Sequence, residues 1–185
     1  HSKELAALNG SVDLVVGGPP CQGFSMAGKR KNDDIRNQLM HSYIEFIKLV
    51  QPTMLFFENV QGFTVGFKDH KDKQKYSDIL VSELHELGYN LDYKIVTMSE
   101  YGVPQNRKRF ILFASKNGAY EIFFDELLKN KDCFLRDRGL KIPITISQAI
   151  NDLKKSHGEV DSKDTKAFKN GKYGRATSAY QKLMR

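Results

Sequence analysis

The chain reads as an α/β fold built on a strand–helix–strand unit, and three stretches predict it. The apolar run Val12-Asp13-Leu14-Val15-Val16 is short, β-branched and bounded by glycines, which marks a strand over 12–16 buried on both faces. From Leu39 to Val50 the residues Leu39, Met40, Tyr43, Ile44, Phe46, Ile47 and Val50 recur at helical spacing, and Pro52 stops that helix. Met54-Leu55-Phe56-Phe57 then reads as a second buried strand, with Glu58 at its carboxyl end. Two strands joined by one helix make a right-handed βαβ unit with parallel strands. In open sheets of this kind ligands bind beyond the carboxyl ends of the strands. The residues after Val16 and after Phe57 are therefore the first candidates for a site.

The remaining elements follow in order. A helix over Tyr76–Leu87 presents Tyr76, Ile79, Leu80, Leu84 and Leu87 on one face, and Gly88 terminates it. Strands over Asn90–Met98 and Arg107–Ser115 come next, joined by a segment containing Tyr101-Gly102-Val103-Pro104. Alternation puts Gln105, Arg107 and Arg109 on one face of the second. A last helix opens at Thr145, where Thr145-Ile146-Ser147-Gln148 fits a capping box and Ile146, Ala149, Ile150 and Leu153 form an apolar stripe. Beyond residue 155 the character changes. Residues 161–185 hold seven Lys or Arg against two Asp and few large apolar side chains, a loop-like composition. The chain thus divides into a core over 1–155 and a basic segment over 156–185.

Composition bounds the reading. A chain of 185 residues suits one domain with its own core. With 40% hydrophobic and 28% charged residues it has the composition of a soluble globular protein. The net charge of +7 fits a polyanionic partner. Only Cys21 and Cys133 occur, without a Cys-x-x-Cys pair, which argues against a disulfide framework and a cysteine metal site and for a reducing compartment. No apolar run approaches the ~20 residues that span a bilayer, and no signal peptide opens the chain. A cytoplasmic protein is expected, or a nuclear one if the source is eukaryotic.

The most informative run is Gly17-Gly18-Pro19-Pro20-Cys21-Gln22-Gly23-Phe24-Ser25. It sets a thiol at the end of the first strand, on a turn stiffened by two prolines, where two glycines let the backbone pass close to a ligand. A thiolate in an electropositive, partly open pocket is a strong nucleophile. The run resembles the nucleophile motif of the cytosine-5 DNA methyltransferases. Two further motifs of that family follow in family order: Phe56-Phe57-Glu58-Asn59-Val60, which resembles its Glu-Asn-Val motif, and Gln105-Asn106-Arg107-Lys108-Arg109, which resembles its Gln-x-Arg-x-Arg motif. The resemblance covers about residues 12 to 153, the middle of a usual family member.

The resemblance implies a Rossmann-like class I methyltransferase fold and transfer of a methyl group from S-adenosylmethionine to carbon 5 of cytosine in double-stranded DNA. Cys21 would attack carbon 6 of a flipped-out base. Glu58 would act, protonated, at ring nitrogen 3. Arg109 would contact the base carbonyl oxygen, with Arg107 bracing the glutamate or the nearby backbone, and Asn59 and Gln105 in support. The loop Ser25–Gln38 would close over DNA, with Gln22, Ser25, Lys29 and Arg36 as nucleic-acid contacts. Pro20 and Leu39 match family positions that touch the cofactor. No counterpart is visible of the family's amino-terminal cofactor-binding strands, with their Phe-x-Gly-x-Gly loop, or of its target-recognition domain. The fold expected is therefore incomplete, and residues 156–185 begin a recognition region or form a disordered tail. An excised piece, a truncated product and half of a split enzyme with a companion chain all fit this pattern. Two other readings stay open: a tRNA cytosine-5 methyltransferase, and a non-catalytic DNA-binding or assembly subunit.

Overall fold

In the computed structural model, which describes residues 2–20, 38–65 and 75–185, four strands form one mixed sheet. They are β1 (Leu14–Gly17), β2 (Met54–Val60), β3 (Asn90–Thr97) and β4 (Lys108–Ser115), in the spatial order β1-β2-β4-β3. β1 and β2 are parallel, as the strand–helix–strand pattern requires, and β2 and β4 are antiparallel. The connection between β1 and β2 carries α2 (Gln38–Val50). A short helix, α1 (Ser2–Ala6), precedes β1, and Asn9 Nδ2 and the Gly10 amide donate to the carbonyls of Leu49 and Val50 at 3.0 and 2.9 Å. Before β3 lies α3 (Tyr76–Glu86), closed by Gly88 at φ +81°.

Residues 1–96 and 108–128 make one compact unit, and residues 97–107 and 129–185 a second. In the first, strand alternation sends Leu55, Phe57 and Asn59 of β2 to the buried side. Phe57 packs with Phe63 and Tyr43 at ring-centroid separations of 5.3 Å, and Phe63 with Phe110 at 5.3 Å. Ile44 and Ile47 of α2 and Leu80 and Leu84 of α3 close around these rings. Burying each such side chain contributes about 1.5–3 kcal/mol. The other sheet face meets the start of α4 (Tyr120–Asp137), where Phe123 stacks on Phe113 at 4.5 Å.

Two strand expectations change. β1 is not buried on both faces: it is the outer strand of the described sheet, and Leu14 and Val16 are exposed, Val16 by 69%. β2 runs on to Val60, so Glu58 lies inside the strand rather than at its end.

The second unit has a small core of Leu135, Leu140 and Ile144. A 3-10 turn over Met98–Tyr101 ends at Gly102, φ +83°, where an added Cβ would stand 3.1 Å from Leu135 Cδ2. The capping box at Thr145 opens α5 (Ile146–Ile150): Gln148 N donates to Thr145 Oγ1 at 3.2 Å, and Thr145 N to Gln148 Oε1 at 2.8 Å. The stripe expected on this helix does not pack, because five residues turn only Ala149 inward and leave Ile146, Ile150 and Leu153 exposed. Residues 156–185 are not loop-like throughout. They hold a hairpin of β5 (Glu159–Asp161) and β6 (Lys169–Gly171), then α6 (Ala179–Met184), which has its own capping box between Ser178 and Gln181. Buried Asp152 accepts from Arg185 Nε at 2.9 Å and Nη2 at 3.2 Å, and that guanidinium lies 4.0 Å over the Tyr173 ring. Among the described residues no helix is long and apolar enough to cross a membrane.

Candidate active site

The register Gly17↔Phe57 brings the chain off the end of β1 directly beside Glu58. Gly17 and Gly18 both serve this approach. A Cβ at Gly17 would overlap the Tyr43 ring, and one at Gly18 would lie 3.2 Å from the Glu58 carbonyl oxygen and 3.3 Å from Glu58 Oε2. The sequence pattern suggested glycines that admit a ligand; in the structure they admit a tyrosine and a carboxylate of the protein itself. Asn59, 2% exposed, then ties the two strand ends together. Its Nδ2 donates to the Pro19 carbonyl at 3.4 Å and its Oδ1 accepts from the Val60 amide at 2.9 Å.

Arg109 reaches the same place from the other side of β2. Val60 pairs with Arg109 and Glu58 with Ile111, so Glu58 and Arg109 are diagonal neighbours on one sheet face. Arg109 Nε forms an ion pair with Glu58 Oε1, and its Nη1 donates to the Lys108 carbonyl at 2.9 Å. The guanidinium side chain is 12% exposed and the carboxylate side chain 42%. A packed cation thus holds a more open carboxylate, which is the arrangement for presenting an acidic group to something outside.

Gln105 and Arg107 do not share a strand face with Arg109. β4 begins only at Lys108, and both residues are exposed in the turn before it, within the second unit. Pro104 supplies no amide, and the bonds Gln105 N to Val103 O (2.8 Å) and Arg107 N to Gln105 O (2.9 Å) curl the backbone out of the extended form that alternation needs. Pro20, next to the run's cysteine, and Leu39, in the first turn of α2, are both exposed. Cys21, Gln22, Ser25, Lys29 and Arg36 lie outside the described residues. Among the described residues no cluster of three or more His, Cys, Asp or Glu is placed to hold a metal.

Tyr43 is a neighbour of the site that helical periodicity ranks only as a stripe residue. Its hydroxyl is buried without a hydrogen-bond partner among the described residues, and burial pushes the phenol well above its usual range. Nothing in spacing separates such a tyrosine from an ordinary core position.

A segment leaving the end of β1, beside a carboxylate–guanidinium pair that spans β2 and β4, defines an α/β protein with convergent polar groups at one sheet end. The model of the C-5 cytosine-specific DNA methylases matches residues 2–182, and the chain belongs to that family. Members of the family use S-adenosylmethionine as methyl donor. The chain is 42% identical over 109 residues to the Type II methyltransferase M.XorII of Xanthomonas oryzae pv. oryzae, covering 58% of this chain and 24% of that protein. It is 32% identical over 156 residues to the Type II methyltransferase M.BspRI of Lysinibacillus sphaericus, covering 83% of this chain and 34% of that one. The chain therefore spans about a quarter to a third of the length of these curated relatives. Among solved structures it resembles a DNA modification methyltransferase encoded within a prophage of E. coli, with TM-score 0.53, 28% identity, and coverage of 92% of this chain and 43% of that one. The S. pombe Dnmt2 methyltransferase matches with TM-score 0.52 and 26% identity over 71% of this chain and 38% of its own. The class I methyltransferase fold expected from the motifs is thus the fold of its structural neighbours, matched over part of their length.

Proposed function

We propose that this chain carries the catalytic groups for methylating carbon 5 of cytosine in double-stranded DNA. The observation that supports this most is the Glu58–Arg109 pair standing against Gly18. Only three peptide units separate Gly18 from Cys21, a reach of at most about 11 Å. The Type II designation of the relatives supports a restriction–modification setting.

Carbon 5 of cytosine is a poor nucleophile until something adds at carbon 6. The Cys21 thiolate forms a bond to carbon 6, the 5,6 double bond opens, and electron density moves toward carbon 5 and ring nitrogen 3. Glu58, after taking up a proton from solvent, donates to nitrogen 3 and offsets the charge that develops there. Arg109, which holds Glu58 through Nε, offers its fork of N–H groups to the base carbonyl oxygen. After methylation the carbon 5 proton leaves to a base, the double bond re-forms and the cysteine sulfur departs. Asn59 fixes the turn that delivers the thiol. Arg107 and Gln105 serve the approach from the turn before β4, and Gln22, Ser25, Lys29 and Arg36 hold the DNA backbone around the extruded nucleotide. S-adenosylmethionine supplies an electrophilic methyl group when bound. Pro20 and Leu39 fit part of that donor: both are apolar and open, suited to pack on a flat ring, and neither offers it a polar side-chain contact.

Duplex DNA containing 5-fluorocytosine tests the reading, because fluorine at carbon 5 cannot leave as a proton and traps the adduct. The protein with S-adenosylmethionine should give a denaturation-resistant complex joined at Cys21, and Cys21→Ser should give none. An adduct that survives in Cys21→Ser, or one formed on tRNA and not on DNA, overturns it.

A further inference from the structure

The net positive charge resides in one of the two units. Residues 1–96 and 108–128 hold 14 Lys and Arg against 15 Asp and Glu, a net −1. Residues 97–107 and 129–185 hold 15 against 7, a net +8. Within that second unit a cleft of about 200 Å³ opens at the base of the β5–β6 hairpin, lined by Leu153, Lys154, Lys155, Gly158, Glu159, Gly171 and Lys172. We infer that this cleft is a contact site for a phosphodiester of the DNA backbone. The inference rests on the DNA substrate proposed above and adds a place outside the three motifs where that substrate is held.

Three features carry it. The lysines come from two chain segments brought together by the hairpin. Lys154 and Lys155 precede β5, Lys172 follows β6, and the Lys172 amide donates to the Gly158 carbonyl at 3.0 Å across the base. The opposing glycines, Gly158 at φ +79° and Gly171, add no side chain to the floor, so the space between the lysines stays open. Its volume is several times the ~30 Å³ share of one water, room for a tetrahedral phosphate group and part of its hydration. Finally, the ammonium groups are uncommitted. Lys48 is held by Glu45 and Glu83, and Arg185 by Asp152, whereas no ion pair to Lys154, Lys155 or Lys172 occurs among the described residues. Glu159 alone opposes them at the lining, leaving a local excess of two positive charges.

Chemistry selects the ligand. Lysines are compact, hydrated point charges that hold a phosphate without reading a base edge. The cleft should therefore add affinity for any duplex sequence and should make binding more salt-dependent, since each phosphate neutralised contributes about 0.9 to the slope of log K against log salt.

The experiment compares the protein with Lys154→Gln/Lys155→Gln/Lys172→Gln, and with Lys141→Gln/Lys182→Gln as a charge control outside the cleft. All five lysines are exposed, so folding is not at stake. Equilibrium binding to two unrelated DNA duplexes and to an RNA duplex is measured from low to moderate salt. The cleft variant should bind both DNA duplexes several-fold more weakly with a slope reduced by about 1 or more, and the control should change less per charge removed. At saturating DNA the cleft variant should still form the 5-fluorocytosine adduct at the wild-type rate. An unchanged slope, an equal loss per charge in the control, or a loss confined to RNA overturns the inference while leaving the catalytic reading intact. Absence of the adduct in the wild-type protein is failure of the catalytic reading, and it is seen in a separate assay.

Discussion

The first unit packs thirteen buried residues, five of them aromatic, into one core and is almost neutral; the second closes on three, Leu135, Leu140 and Ile144, and carries a net charge of +8. The difference fits the roles proposed for each. Aligning a carboxyl, a guanidinium and a nearby thiol against one flat ring demands positions held to within about 0.5 Å, which close packing behind β2 and β4 provides. Attracting a polyanion demands only charge on an accessible surface, and a small core with a hairpin is enough to display it. On the proposed function the first unit supplies the precision and the second the field.

Glu58→Gln tests that division with the largest expected effect. The amide keeps the shape and can still donate a hydrogen bond, but it has no acidic proton to transfer to ring nitrogen 3, so the methylation rate should fall about 10²–10⁴-fold, equivalent to about 2.7–5.5 kcal/mol of barrier. Because the Glu58 side chain is 42% exposed, the broken pair should alter folding stability by less than about 1 kcal/mol. A variant that methylates within threefold of wild type would remove Glu58 from the chemistry.

Phe57→Ala makes the opposite demand. Phe57 is fully buried against Tyr43, Phe63 and Phe110, and emptying its site should lower stability by about 3–5 kcal/mol. Urea titration followed by amide signals of β2 and β4 reads it directly. A loss below about 1 kcal/mol would mean that the core relaxes freely and gives the site no rigid backing.

These residues also show what was legible beforehand. The helix over 39–50 and the cap at Thr145 follow from rules that act within a few residues, and the parallel pairing of β1 with β2 follows from the one way a strand–helix–strand unit connects. The contact of Glu58 with Arg109 was not legible: the resemblance gave Arg107 the bracing of the glutamate, and the register of β2 with β4 gives it to Arg109. Nor were the exact strand starts, because Pro104 and two short-range hydrogen bonds decide where β4 begins and so separate Arg107 from Arg109. Helix α4 escaped notice although Phe123, Phe124, Leu127 and Leu128 recur at helical spacing, since the charged residues between them dilute the pattern. The order within 156–185 depends on pairings such as Asp152 with Arg185, 33 residues apart, which no window of sequence contains.

That pairing provides the finest test of the contrast, because the second unit leans on it where the first relies on rings. Hydrogen bonds from Arg185 hold the Asp152 carboxyl below the usual carboxylate range. A carboxyl whose value is lower in the folded chain contributes stability that is complete above the unfolded value, near ~3.9, and that drains away as pH drops toward the folded one. Acid should therefore loosen α5 and α6 before it reaches the aromatic core. Arg185→Gln should raise exchange already at pH 6 and flatten its further rise toward pH 3, leaving β2 and β4 unaffected, as followed by amide hydrogen exchange at Ala149, Asn151 and Lys182. If exchange there rises with falling pH identically in variant and wild type, the second unit is held by its small core alone and the ion pair is ornament.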